Sequence, residues 1–469
     1  MLRRNILFMV IVPVLGCSKV SENKVYSLRS EASADNREMD FSEQAKRRLR
    51  MRQIRKHIQV QSVSNQTYLL DEAKKVARNI VSEESLPSIE VMLELGELMF
   101  GHEFSYSEGM TSKVERVGGH DSNSCVSCHW QSGIGGSGAL VDNSYLHAES
   151  ELISEYDALN PPSLRGIGIV ELLAQEMTED LQKQKNDLIQ NTPLGEFGRV
   201  RLETKNVSFG SLLVDAKGKL DYSEVEGVDN DLVIKPFRWK GTTKNLEDFV
   251  IESLVSHMNY DEYGHSDRRE LFLTWFLASM PPPYYGPATS YENLIAEPRS
   301  PTGELVKVFE REWTNGRQVF ETIGCVSCHK SKMPLRTTVF RTKGTESLPA
   351  LEYDFAEDWR LEYSEEEGGF VVYVFSDFKR HDLGNSNAGR YYDRGVPPNK
   401  FMTRRLWDVA NTAPYMHDGR AAWISHAIAE HGGEGAQARE AYMSLPQQKK
   451  AELRVFLMSL RKKPGPIIR

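Results

Sequence analysis

Residues 125–129 read CVSCH, and the same five letters return at 325–329. The chain holds five cysteines in 469 residues, so four of them stand in one pentapeptide written twice. A Cys-x-x-Cys pair by itself suits half of a zinc site, a thiol redox motif or a haem tether. A four-cysteine zinc site joining both pairs leaves unexplained the histidine that follows the second cysteine in each copy. Haem c explains it. Cys125 with Cys128, and Cys325 with Cys328, each supply two thioether bonds, and His129 or His329 beside the tether reaches the iron from one face. Two covalently bound haem c groups are the expectation.

The first sixteen residues, MLRRNILFMVIVPVLG, place two arginines before an apolar stretch too short to span a bilayer, the pattern of a signal peptide. Cys17 follows VLG and resembles the lipidated cysteine of a bacterial lipobox; a signal peptide that ends near a cysteine by chance is the plainer alternative. Ser18 after it favours the outer membrane in the enteric sorting pattern. The expectation is a periplasmic protein with a leader at 1–16, a lipid anchor at Cys17 and a polar tether with some helix over 17–90. Loss of Arg3 and Arg4 with the leader takes the net charge from −8 to −10. No long basic patch is present, which argues against a nucleic-acid partner. The run KRRLRMRQIRKH at 46–57 reads as a solvated helix face or linker.

Each CVSCH is preceded by the same kind of segment, ELGELMFGHEF at 94–104 and NGRQVFETIGC at 315–325. Both pattern as a short amphipathic helix feeding the haem loop, with Leu98 to Phe100 and Val319 to Phe320 as apolar anchors. The Pro-rich stretch ASMPPPYYGPATSYENLIAEPRSP at 278–301 is the natural boundary. This predicts a mainly α fold of two cytochrome c-like domains, 91–290 and 291–469, each binding one haem c, with loop and short β insertions. The polar 185–235 region reads as loops with a short hairpin, and EYSEEEGGFVVYVFSDF interrupts the second unit similarly.

The motifs GELMFGHEF…SCVSCH, NPPSLRGIGIVELL, FRWKGTTKNLEDF…HMNYDEYG, GRQVFETIGCVSCH, FKRHDLG and TAPYMHDGRAAWISHAIAEHGG run from about 95 to 463. Together they resemble the bacterial di-haem cytochrome c peroxidase and MauG superfamily, in its di-haem oxidoreductase (thiol oxidoreductase-like) branch. The resemblance implies an N-terminal haem where peroxide or another substrate reacts and a C-terminal haem that passes electrons. It also implies Trp239 as a relay, and a calcium ion held by the Asn160 side chain and the carbonyls of Thr412 and Pro414. No cysteine remains for thiol chemistry. For the second haem, Ile424, Ile428 and His431 fall at i, i+4 and i+7 on one helix face. The family spacing of fourteen residues after His417 also lands on His431. A bis-histidine centre of His329 and His431 is expected; the alternatives are a His431 that merely caps the helix end, with Met416 as the other ligand candidate.

Where the peroxidase pattern places a glutamine and an acid after Trp239, this chain has Phe249 and His257. His257 reads as a proton acceptor, an iron ligand that closes the site, or a histidine without haem contact. Glu171 is a second candidate acid, with helix-cap and surface readings beside it. His147 suits a switchable ligand or a loop histidine, His417, Asp418 and Arg420 suit a turn near the propionates, and the role of His381 is not legible. Two functions follow: a peroxidase-like oxidoreductase supplied by a small cytochrome or other redox partner and acting on hydrogen peroxide, or an electron carrier with both irons six-coordinate. MauG-like oxidation of a partner protein is a third.

Overall fold

A computed structural model describes residues 25–29, 64–81, 86–110, 120–139, 144–146, 157–260, 268–283, 303–344, 349–390 and 392–461. The expected leader, Cys17, the basic run at 46–57, His147 and the stretch 284–302 lie outside the described residues.

Two crossed helix pairs, built alike, organise the chain. The Ile89–Phe100 helix buries Met92, Leu95 and Met99, spaced by three or four, together with Phe100, and packs on the Arg269–Ser279 helix. The Gly303–Thr322 helix packs on the Gln447–Ser459 helix in the same manner. A Cβ on Gly96 would lie 2.1 Å from the Phe272 carbonyl oxygen, and one on Gly316 would lie 2.0 Å from that of Glu452. Only glycine admits such a close crossing. Each glycine stands four residues before a buried phenylalanine, Phe100 and Phe320. Each pair therefore brackets one CVSCH segment.

The cores do not divide at the same place. A smaller core gathers Trp313, Phe320, Phe375, Phe456 and Leu457 around the second pair. The larger one joins the first pair with Met333, Leu335, Phe340, Leu351, Phe355, Trp359 and Trp407. The expected 290/291 boundary thus separates the helix pairs, while residues 333–372 cross over to pack on the first core. They do so through two small sheets. Met333–Leu335, Glu362–Ser364 and Gly369–Val372 form one, and Val339–Arg341 with Ala350–Asp354 form most of the other.

The second sheet corrects the expected tether, because its third strand is Val25–Ser27, running parallel to Ala350–Glu352. The Ser64–Val81 helix likewise buries Leu69, Ala73, Ala77 and Ile80 along one stripe. The described parts of 17–90 are integral to the fold, since a polar average conceals a single apolar stripe. The 185–235 region contains the expected hairpin, extended by a third strand. The 25-residue Ile167–Asn191 helix leads into the antiparallel strands Gly198–Thr204, Val207–Val214 and Leu220–Asp221. Helix still exceeds strand, 42% against 18%, in keeping with the mainly α expectation. No helix among the described residues is long and apolar enough to cross a membrane.

Candidate functional site

Both CVSCH segments form one tight turn, Cys125–Cys128 and Cys325–Ser327, and none of the four cysteines is in a disulfide. The backbone N–H of His129 donates to the Cys125 carbonyl at 3.0 Å and that of His329 to Cys325 at 2.9 Å. This closes each turn with its imidazole beside the cysteines. His129 Nδ1 lies 3.2 Å from the Gly136 carbonyl oxygen, and His329 Nδ1 3.0 Å from that of Phe375. A carbonyl only accepts, so Nδ1 carries the proton and Nε2 keeps the lone pair that a metal takes. Burial lowers the pKa of each to about 4, with the charges of His257 near His129 and His431 near His329 acting in the same direction. Both rings are neutral, as an iron ligand must be.

Each turn opens on a cavity. The first, about 130 Å³, is lined by Cys125, Cys128, His129, Trp239, Phe249 and His257. The second, about 290 Å³, is lined by Cys325, Cys328, His329, Trp239, Met416 and His431. Asn160, Trp239, Arg404 and Arg405 line both, so they form the shared wall.

In the second cavity the His329 and His431 ring centres are 6.5 Å apart, and His431 Nδ1 donates to the Ala427 carbonyl at 2.7 Å. Two metal–imidazole bonds of about 2 Å, each with about 1.2 Å from nitrogen to ring centre, need roughly 6.4 Å. The spacing therefore fits one iron between the rings. The helix before His431 is shorter than the apolar stripe predicts: it spans Ile424–Ala429 with Glu430 as its C-cap. Gly432 and Gly433 follow, Gly433 at φ +51°, and His431 reaches the cavity from the turn.

His381 explains how that turn is held. Its Nδ1 contacts Glu434 at 2.6 Å and its Nε2 contacts Asp377 at 2.8 Å. Burial works to lower the His381 pKa, but the bond to Asp377 prevails and raises it. Asp377 lies two residues after Phe375, which orients His329, and Glu434 lies three after His431. One imidazolium therefore ties together the supports of the His329 and His431 rings, a role that residue type alone did not show.

The Leu246–Met258 helix divides its work between two rows. Leu246, Val250, Leu254 and Met258 are buried at every fourth position, and Phe249, Ser253 and His257 line the first cavity at the same interval. Phe249 stacks on Phe237 with ring centres 5.2 Å apart, an apolar wall where the peroxidase pattern carries an amide. His257 Nδ1 donates to Asp121 Oδ2 at 2.8 Å, while the Asp121 backbone N–H donates to the His257 carbonyl. Asp121 was missed in the sequence. Its one available signal was a position four residues before Cys125, in the segment that must lie against the haem turn.

Glu171 is corrected by the structure. It does not line the first cavity; its Oε2 accepts the Leu246 backbone N–H at 2.6 Å and its Oε1 accepts from Gln175. It is an acceptor for the N-terminus of the 246–258 helix rather than a catalytic acid. Burial raises its pKa from 4.5 to about 8, against the opposing Leu246 bond. A raised carboxyl stabilises the fold fully below its unfolded pKa and loses that contribution as pH climbs to about 8, with a slope of at most about 1.4 kcal/mol per pH unit. Glu171→Gln should therefore match wild type in thermal midpoint near the lower end and exceed it increasingly toward the upper end. A difference that does not vary with pH would count against this assignment.

Trp239 donates its indole N–H to the Asn160 carbonyl at 3.1 Å. Asn160 Nδ2 donates to the Pro414 carbonyl at 2.9 Å, but its buried Oδ1 has no hydrogen-bond partner among the described residues. An orphaned amide oxygen beside a backbone carbonyl suits a hard cation such as calcium. Pro414 and Thr412 both line the second cavity. Phe401 and Trp239 enclose the His417 ring, and Asp418 pairs with Arg420, as a structural turn requires.

Residues 304–460 match the family described as "Di-haem oxidoreductase, putative peroxidase". Over that stretch the chain is similar to the di-haem oxidoreductases. A curated relative, the cytochrome-c peroxidase IdrP1 of Denitromonas iodatirespirans, is 28% identical over 145 residues. The match spans 29% of this chain and 36% of that protein. Among solved structures, hydrazine synthase of Kuenenia stuttgartiensis is 15% identical with a TM-score of 0.35, covering 83% of this chain and 92% of that one. The di-haem peroxidase BthA of Burkholderia thailandensis E264 is 14% identical with a TM-score of 0.28, covering 48% and 66%.

Proposed function

We propose that this chain is a c-type di-haem oxidoreductase of the peroxidase-like kind, with its first cavity reactive and its second relaying electrons. The observation that carries the reading is an asymmetry. The second cavity opposes His329 with His431 at a spacing one iron fills, whereas the first meets His129 with an aspartate-bound His257 and a phenylalanine. Haem c would supply a redox-active iron to each cavity, tethered through Cys125 and Cys128 or Cys325 and Cys328. The protein's part is to hold two neutral imidazoles by their Nδ1 protons, to present His257 Nε2 as a proton acceptor, and to exclude water with Phe249 and Leu254. Trp239, in the wall common to both cavities, is the relay between them, and Asn160 with the Thr412 and Pro414 carbonyls holds a calcium ion that braces the wall. Hydrogen peroxide is the substrate class, and a small cytochrome or similar redox partner is the donor. An electron carrier is the second reading, favoured by Phe249 in place of a hydrogen-bonding amide.

Haem counting tests the foundation. Wild type should carry two covalently bound haems and Cys325→Ala should carry one fewer; a single haem in wild type would overturn the proposal. The periplasmic, outer-membrane location rests on the leader and Cys17. Two or more acyl chains anchor stably where one does not. Cys17→Ser protein should leave the membrane fraction, and its retention there would refute the anchor.

A further inference from the structure

The wall between the cavities carries charge that the protein itself does not balance. Arg404 and Arg405 are adjacent in sequence, and both line both cavities. The Arg404 guanidinium lies 4.1 Å over the Trp239 ring, and its buried Nε and Nη2 have no hydrogen-bond partner among the described residues. Arg405 donates to the Ser163 carbonyl, a neutral acceptor. Among the described residues no carboxylate forms an ion pair with either. Burial lowers the Arg404 pKa to about 9, with Arg405 adding like-charge repulsion, and burial lowers Arg405 to about 10. Arginine does not relieve such strain by deprotonating near neutrality, and an uncompensated buried cation costs several kcal/mol. A π-face offsets part of this, on the order of 2 kcal/mol for a desolvated pair. The remainder calls for an anion delivered from within the cavities. Each tethered haem brings carboxylates of its own, the propionates, and a planar guanidinium fork matches them.

We infer that Arg404 is an anion-binding residue shared by the two cavities, taking propionate carboxylates from both haems while it caps Trp239. This rests on the di-haem reading above and assigns it a device of this chain's own. One fixed positive charge then acts on two irons and on the indole between them, favouring reduction of both haems and disfavouring loss of an electron from Trp239.

The test is spectroelectrochemical titration of both haems in purified holoprotein, with haem counted in each preparation. Arg404→Gln should lower both midpoint potentials, because a cation that favoured the reduced state is gone. Arg199→Gln, at an exposed strand position, should move neither. If only one potential falls, Arg404 belongs to one cavity and the shared role is overturned. Unchanged potentials with both haems retained would reduce Arg404 to a packing residue on Trp239. Should Arg404→Gln fail to hold haem, Arg404→Lys decides the matter. Its ammonium lacks the fork, so both potentials should shift in the same direction by less, and potentials equal to wild type would overturn the inference. Fewer than two haems in wild type would sink the di-haem reading instead, an outcome read independently of any Arg404 variant.

Discussion

His257→Ala should slow peroxide turnover by about 10²-fold or more while leaving both haems attached, the loss typical of removing a positioned acid-base group. The carboxylate of Asp121 accepts from Nδ1, so Nε2 is the nitrogen left for proton exchange, and it has no hydrogen bond among the described residues. Oxidised wild type is expected to show a high-spin signal from the first haem, and the variant to keep it. Asp121→Asn, which leaves the ring in place but frees its tautomer, should give a smaller loss and a displaced pH profile. Should wild type instead be wholly low-spin, with the high-spin species arising only in His257→Ala, His257 is an iron ligand and the electron-carrier reading prevails. Turnover and spectrum both unchanged in His257→Ala would remove His257 from either scheme.

His431→Ala should convert the second haem from low-spin to high-spin and open it to small ligands such as cyanide. The 6.5 Å between ring centres leaves room for one metal and no further ligand, so alanine vacates a coordination position. His431→Met should restore six-coordination and raise the potential of that haem, within the roughly 0.8 V range that axial ligands span. Met416 lines the same cavity and supplies the control. If Met416→Leu, and not His431→Ala, produces the high-spin species, the sulfur is the ligand and the bis-histidine assignment is wrong.

Geometry fixed by short-range chemistry was legible in advance. A Cys-x-x-Cys-His run must bring its cysteines and histidine to one face of one turn, so the placement of His129 and His329 required no knowledge of distant chain. The apolar anchors Leu98 to Phe100 and Val319 to Phe320 were similarly local, whereas the close helix crossings at Gly96 and Gly316 appeared only in the structure. Glu171 misled because an acid in an apolar helix suits either catalysis or a helix N-terminus, and the choice belongs to Leu246, 75 residues later.

What the sequence by itself determined is the candidate set of the site: two CVSCH runs with His129 and His329, and His431 and His257 as candidates opposite them. Only the tertiary structure decided how these groups are held and joined. It brought Asp121 to His257 across 136 positions and set His381 between Asp377 and Glu434. It also paired Val25–Ser27 with a strand more than 300 residues away and stacked Arg404 on Trp239 in the wall between two cavities. The reason is that covalent spacing dictates geometry over a few residues, whereas contacts between distant segments depend on which apolar surfaces close against one another. No local pattern encodes that closure.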